Sequence, residues 1–168
     1  MRNAKTVCIE ENLFGAGNVY RAKRIAAYLT NRAAALDAKE LQLFMESDLA
    51  TQKLLNLIAI LRMDRLFFEF LFEVYREKII LGIPVLEDRD AKIFFKNKEV
   101  QSAAIEAWKD TTKKKLRGCY FNYMVDANLL AMDGKIRRIT PPILDTALER
   151  HLAAKGDGVL LRAIQGVS

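Results

Sequence analysis

The chain of 168 residues is about half hydrophobic and 29% charged, which excludes an intrinsically disordered polypeptide and suits one domain or two small ones packed together. Eight glycines and three prolines are too few for the many turns of an all-β fold. A net charge of +6 points to a polyanionic partner without establishing one.

In chain order, residues 1–14 read as a short helix carrying Val7, Cys8 and Leu13, broken by Gly15 and Gly17. Asn18 is a suitable N-cap for an amphipathic helix over 19–34, where Val19, Ala22, Ile25, Ala26 and Leu29 recur at helical spacing. Arg21, Lys23, Arg24 and Arg32 occupy its other faces. Asp37 opens a helix through Leu41 and Phe44, and Ser47 caps the next, whose apolar positions are Leu54, Leu55, Leu57, Ile58 and Leu61. Asp64 opens an aromatic-rich helix over 65–81, ended by Gly82 and Pro84. Glu69 and Glu73 punctuate this apolar stretch, so it reads as a core helix rather than a membrane span, which needs ~20 apolar residues.

The second half begins with a helix over 88–96 carrying Ile93, Phe94 and Phe95. Asn97 is expected to cap a further helix over 98–108, with Val100, Ala104, Ala107 and Trp108 inward. Asp110 or Thr111 should cap the helix 111–127, whose Leu116, Cys119, Tyr120, Tyr123, Met124 and Ala127 form a buried stripe. Asp133-Gly134 between two strand-like runs predicts a type I′ hairpin over 129–139. Thr140 and Pro141 should then open a final helix over 141–153. The apolar tail 153–168 has no assigned structure at this level.

Two short helices, a longer helix and a hairpin make a winged helix-turn-helix-like order, in which the long helix offers one face to a major groove and the hairpin reaches flanking phosphates. The candidate nucleic-acid contacts are Thr112, Lys113, Lys114 and Arg117 on the helix, with Lys115 beside them, and Lys135, Arg137 and Arg138 on the hairpin. Residues 109–138 hold eight Lys/Arg against three Asp/Glu, and residues 1–35 hold six against two, leaving the remainder net acidic. A second basic segment therefore lies at Arg21, Lys23 and Arg24. Segregated positive charge of this kind releases counterions on a polyanion. A solvated lysine face, or a winged helix used to dock a protein, explains the same residues. The function classes weighed are accordingly a duplex-DNA binder, a protein-interaction subunit and an RNA-binding regulator.

No catalytic constellation stands out. The single histidine, His151, and the separated Cys8 and Cys119 cannot furnish a structural zinc site; no metal and no cofactor are expected, and both thiols read as reduced. Asp88 and Asp90 are explained by helix capping, and Trp108, Tyr120 and Tyr123 by the core. No secretory signal or membrane span is legible, so the expected location is the cytoplasm.

The runs VYRAKRIAAYL (19–29), LFFEFLFEVYREKI (66–79), DRDAKIFFKNK (88–98) and AWKDTTKKKLRGCYFNYMVDANLL (107–130), with Ile136, resemble the BrxA proteins of BREX phage-defence systems, a family also labelled putative inner-membrane protein. AWKDTTKKKL, matching a W-x-x-x-T-x-x-K-L run, is the most telling segment. The resemblance covers about residues 10–150. It implies a small, helical, non-enzymatic DNA-binding component that works with other defence-system proteins, with DNA contacts at Thr112, Lys113, Lys114 and Arg117. It also implies a longer N-terminal segment, so this chain is expected to lack a helix there. The membrane label finds no support in these residues. The expected fold is mostly α: an N-terminal helical layer (1–84) packed on a winged-helix-like unit with one β-hairpin (85–152), then a tail (153–168). Homo-oligomerisation is left open.

Overall fold

The structure, a computed structural model, describes residues 4–166. The first helix, α1, covers Ala4–Glu10; the expected helix also took in residues 1–3, which lie outside the described residues. Next, α2 (Val19–Ala34) starts where Asn18 accepts the Arg21 backbone N–H at 2.9 Å. In α3 (Ala38–Glu46), Asp37 and Glu40 form a reciprocal capping box. The cap of α4 (Leu49–Met63) is Asp48, which accepts the Thr51 N–H at 2.8 Å, and not Ser47. Ser47 is spent on the preceding helix, because its own N–H closes onto the Leu43 carbonyl.

The aromatic segment forms α5 (Arg65–Phe70), a π turn (Leu71–Tyr75) and α6 (Arg76–Ile80) in one run. Phe67, Leu71 and Tyr75 are all fully buried. Their interval of four exceeds the ~3.6 residues of an α-turn, and the wider π turn absorbs the drift. The Tyr75 hydroxyl is buried and has no hydrogen-bond partner among the described residues.

Asn97 starts no helix. Instead α7 runs unbroken over Asp88–Gln101, followed by the single turn α8 (Ala103–Glu106), and Val100 is 86% exposed. The inner face is Ala91, Phe94, Phe95 and Lys98. Lys98 can take a core position because Glu69 (2.8 Å) and Glu73 (2.6 Å) neutralise its ammonium. The long helix α9 covers Asp110–Asp126 with extended Lys109 before it, so neither Asp110 nor Thr111 is the cap.

Strands β1 (Leu130–Asp133) and β2 (Ile136–Ile139) pair antiparallel, with Asp133 opposite Ile136. The turn residues are thus Gly134-Lys135, and Gly134 has φ +58° while Lys135 does not share a positive φ. A glycine at the first central position is the II′ arrangement rather than the expected I′. Val85 bridges Arg138, Leu86 N–H donates to the Arg137 carbonyl (3.0 Å) and Ile139 N–H to the Pro84 carbonyl (2.8 Å). Residues 84–86 therefore run along the outer edge of β2. Thr140 completes the hairpin by donating its hydroxyl to the Asn128 carbonyl. No helix begins at Pro141: a residue preceding proline is pushed out of the α region, and Pro142 follows. The next helix, α10 (Thr146–Lys155), opens at Asp145.

Within the stretch expected as a tail, the described residues up to 166 are folded. Its helix α11 (Gly158–Gln165) buries Leu160, Leu161, Ala163 and Ile164 and packs on the π turn and α6. At its end a Cβ on Gly166 would collide with Ile79, and its φ is +73°, so glycine alone fits that approach. One hydrophobic cluster unites residues from Leu43 to Ile164. At its centre Tyr120 lies against Phe67 (ring centroids 4.7 Å apart) and Phe95 (6.0 Å).

A buried ion network fastens the helices at one end. Glu40 is fully buried and receives both Arg62 guanidinium nitrogens at 2.6 and 2.7 Å; Arg62 also reaches Asp157 (2.6 Å) and the Ala35 carbonyl (2.8 Å). Asp37 accepts from Lys155 (2.7 Å) and lies 2.9 Å from His151 Nε2. Burial opposes ionisation of Asp37, but the hydrogen bonds from Lys155, the Glu40 N–H and His151 outweigh it. Glu40 is held below the ordinary carboxylate range in the same way, by Arg62 against its own burial.

Removing Arg62 should therefore strand a buried carboxylate: Arg62→Ala is expected to cost about 3–5 kcal/mol in urea unfolding, and Glu40→Gln combined with Arg62→Met distinctly less. Since both carboxylates titrate lower folded than unfolded, their stabilisation is complete above about pH 4 and is lost as pH falls through the folded values. Glu40→Gln should flatten that acid limb in a pH series of melts.

Candidate nucleic-acid interface

The rotational setting of α9 decides which of its cations can meet a partner. Its buried side chains are Lys113, Tyr120, Phe121 and Met124. Leu116 and Tyr123 pack against the same core, half-buried, and Ala127 closes the stripe. Cys119, expected inside, is exposed, and Phe121, which the stripe omitted, is buried with its ring against Phe70 at 6.1 Å. The inner arc is thus shifted toward Phe121, and the outer face is centred on Thr111, Lys115, Gly118 and Asn122.

Lys113 follows from that shift. It does not share an exposed face with Lys114, as helical offsets suggested. It is buried, with its ammonium 2.6 Å from Glu99 of α7 and 3.8 Å from Asp110. The lysine hydrogen bond holds the Glu99 carboxyl below its ordinary range, helped by Lys96. Thr112, Lys114 and Lys115 are exposed, and Arg117 is half-buried. On the hairpin, Lys135 projects from the turn. Arg137 is committed internally: its guanidinium covers the Phe121 ring at 4.0 Å and pairs with Asp88 at 2.9 Å. Arg138 makes two contacts to Asp133, at 2.8 and 2.9 Å. Arg21, Lys23 and Arg24 are exposed on α2, a separate element. The hairpin and α9 are brought together by direct packing of β1 on the helix.

Two features were not read from the sequence. Gly118 sits mid-helix, where a Cβ would meet nothing within 4 Å, so the fold itself does not require a glycine there. Asp37, Glu40 and His151 bring potential metal-ligating atoms within 4.8 Å of one another. Their carboxylates are already engaged by Arg62 and Lys155, whose charges would repel a bound cation. The spacing of Asp37 and Glu40 is that of a capping box and does not signal this cluster, because His151 arrives from a distant helix.

An open cleft of about 230 Å³ separates α2, α4 and α9, where Arg32 lies 5.7 Å over the Tyr123 ring and donates to Asn56. Among the described residues no helix is long and apolar enough to cross a membrane.

The BrxA family model matches residues 1–156. A BREX protein BrxA from Bacillus cereus (strain H3081.97) is 35% identical over 162 residues, spanning 96% of this chain and 81% of that protein. The crystal structure of an uncharacterized protein from Magnetospirillum magneticum aligns with a TM-score of 0.79 over 96% of this chain and 82% of that one. At 17% identity it speaks for the fold alone.

Three substitutions on α9 test its setting by thermal or urea melts. Lys113→Ala should lower the melting temperature more than any other lysine replacement on α9, since it removes both the Glu99 contact and the buried lysine stem. Lys114→Ala should stay within about 0.5 kcal/mol of wild type. Gly118→Ala should stabilise by about 0.5–1 kcal/mol, the ordinary gain at an unobstructed helical site.

Proposed function

The chain belongs to the BrxA family, and from that premise we propose that it is a cytoplasmic, non-enzymatic DNA-binding component of a bacterial BREX phage-defence system, acting beside the system's other proteins. The observation that carries this reading is the outer face of α9 together with the hairpin turn. Residues 84–86, α7, α8, α9 and the hairpin follow one another in the order of a winged helix-turn-helix module. Its long helix presents small or polar side chains, Thr111, Thr112, Gly118, Cys119 and Asn122, flanked by Lys114 and Lys115. A helix with a glycine at the crest admits close approach of another backbone, at a stability cost the fold alone does not demand.

Phosphate contacts carry most of the affinity. Among the described residues, Lys114, Lys115 and Lys135 have no carboxylate to give up on binding; Arg117 is half-covered, and Arg137 and Arg138 serve chiefly to hold the hairpin. Lys113 acts from beneath, by fixing α9 on α7. Arg21, Lys23 and Arg24 form a second cationic surface on α2. Contacts of this type position a duplex without reading its sequence.

A second reading, a docking subunit for another protein, draws on the open apolar groove lined by Leu29, Leu36, Leu41 and Phe44 between α2, α3 and α4. Titration of labelled duplex DNA, with duplex RNA as control, separates the readings. Wild type should prefer the DNA, with affinity falling as salt rises at a log–log slope of about −0.9 per phosphate neutralised. Replacing Lys114, Lys115 and Lys135 by Ala should flatten the slope by roughly 2–3 units without lowering the melting temperature. A folded triple variant with an unchanged slope would remove α9 and the hairpin as the site, and a wild type that binds no nucleic acid would leave the docking reading.

A further inference from the structure

The first helix after the glycine-containing loop carries a surface that neither the core nor the winged module uses. Its sequence from Val19 to Ala34 contains four basic residues and no acidic one. Arg21, Lys23 and Arg24 are exposed and none forms an ion pair among the described residues. Tyr20 is 83% and Tyr28 57% exposed, far above what a core or an intramolecular contact would leave. A shallow groove is lined by Asn18, Tyr20, Arg21, Arg24, Ile25 and Tyr28. Tyr20, Arg24 and Tyr28 recur every four residues, so they lie within one arc of the helix and succeed one another at about 6 Å along the axis. That interval is close to two thicknesses of ~3.4 Å, the rise of stacked bases. A strand whose bases alternate with side-chain planes fits this repeat, and a duplex, whose bases are already stacked on one another, does not offer them.

From this alternation of aromatic ring and guanidinium we propose that the exposed face of α2 is a binding platform for single-stranded DNA, with Tyr20, Arg24 and Tyr28 stacking on unpaired bases and Arg21 and Lys23 tracking the phosphates. Stacking of this kind tolerates any base, because every base has a π face, and arginine planes take part in it. A protein surface would call for a contiguous apolar patch; here the guanidinium of Arg24 stands between the two rings. The platform extends the nucleic-acid reading to a second element and a second form of ligand, and its success does not depend on α9.

The test is fluorescence anisotropy with a labelled oligothymidylate of about twelve nucleotides, a length within the usual site size for such platforms. Wild type, Tyr20→Ala with Tyr28→Ala, and Tyr20→Phe with Tyr28→Phe are compared, each also titrated with blunt duplex. The double alanine variant should lose about tenfold per tyrosine, hence about a hundredfold, for the single strand. The double phenylalanine variant should stay within about threefold, since the ring is kept. Duplex affinity should be the same for all three, and melting temperatures should agree because both side chains are exposed. Absence of oligothymidylate binding by wild type overturns the proposal, as does equal binding by the alanine variant or a parallel loss of duplex binding. Wild type that binds duplex but not the single strand rejects this platform and leaves the winged-module reading standing; the opposite pattern rejects the winged module and supports the platform.

Discussion

The contact on which the rest of the molecule depends is the seat of Tyr120 between Phe67 and Phe95. It joins three helices, α5, α7 and α9, that come from separated parts of the sequence. Aromatic rings in offset or edge contact are worth somewhat more than the area they bury, but the larger effect is geometric. With Tyr120 held on two sides, and Phe121 pressed on Phe70 by Arg137, α9 cannot rotate about its axis. Every statement about which side chains face outward from that helix is a consequence.

Charge is sorted by the same packing. Several cations are drawn inside and answered there: Lys98 by Glu69 and Glu73, Lys113 by Glu99, Arg62 by Glu40 and Asp157. Such pairs contribute modestly to stability compared with an apolar replacement, yet losing one partner is costly. Their effect is to specify how the helices align. These pairs withdraw cations and carboxylates together, so what falls is the number of cations offered to a partner rather than the net excess, and the cations that remain resolve into a few sites: the lysines flanking α9, the lysine of the turn, and the basic face of α2.

Much of this was legible beforehand, for identifiable reasons. Helices α2, α3 and α4 have apolar residues at regular spacing and strong caps, and the hairpin has its glycine, so local chemistry and tertiary context agree. Reading failed where distant residues decide. Lys98 and Lys113 look like solvated positions, and only the arrival of Glu69 and Glu99 from other helices makes them inner ones. Asn97 is a good cap in isolation but lies within α7 because Phe94, Phe95 and Lys98 continue the same inner face. The strand-like path of 84–86 has no signature of its own, since a single bridge beside β2 creates it. In the candidate interface the lysine count was readable from the sequence, while the orientation that separates Lys113 from Lys114 and Lys115 was not.

The seat of α11 on the π turn and α6 has a consequence for synthesis. Residues 71–80 leave the ribosome long before 158–165, and closing so wide a separation is entropically slow. Until α11 emerges, the flank of the aromatic segment that it covers stays open to solvent. The nascent chain thus carries that flank uncovered until residues 158–165 have been made, an interval in which exposed apolar surface favours association between chains.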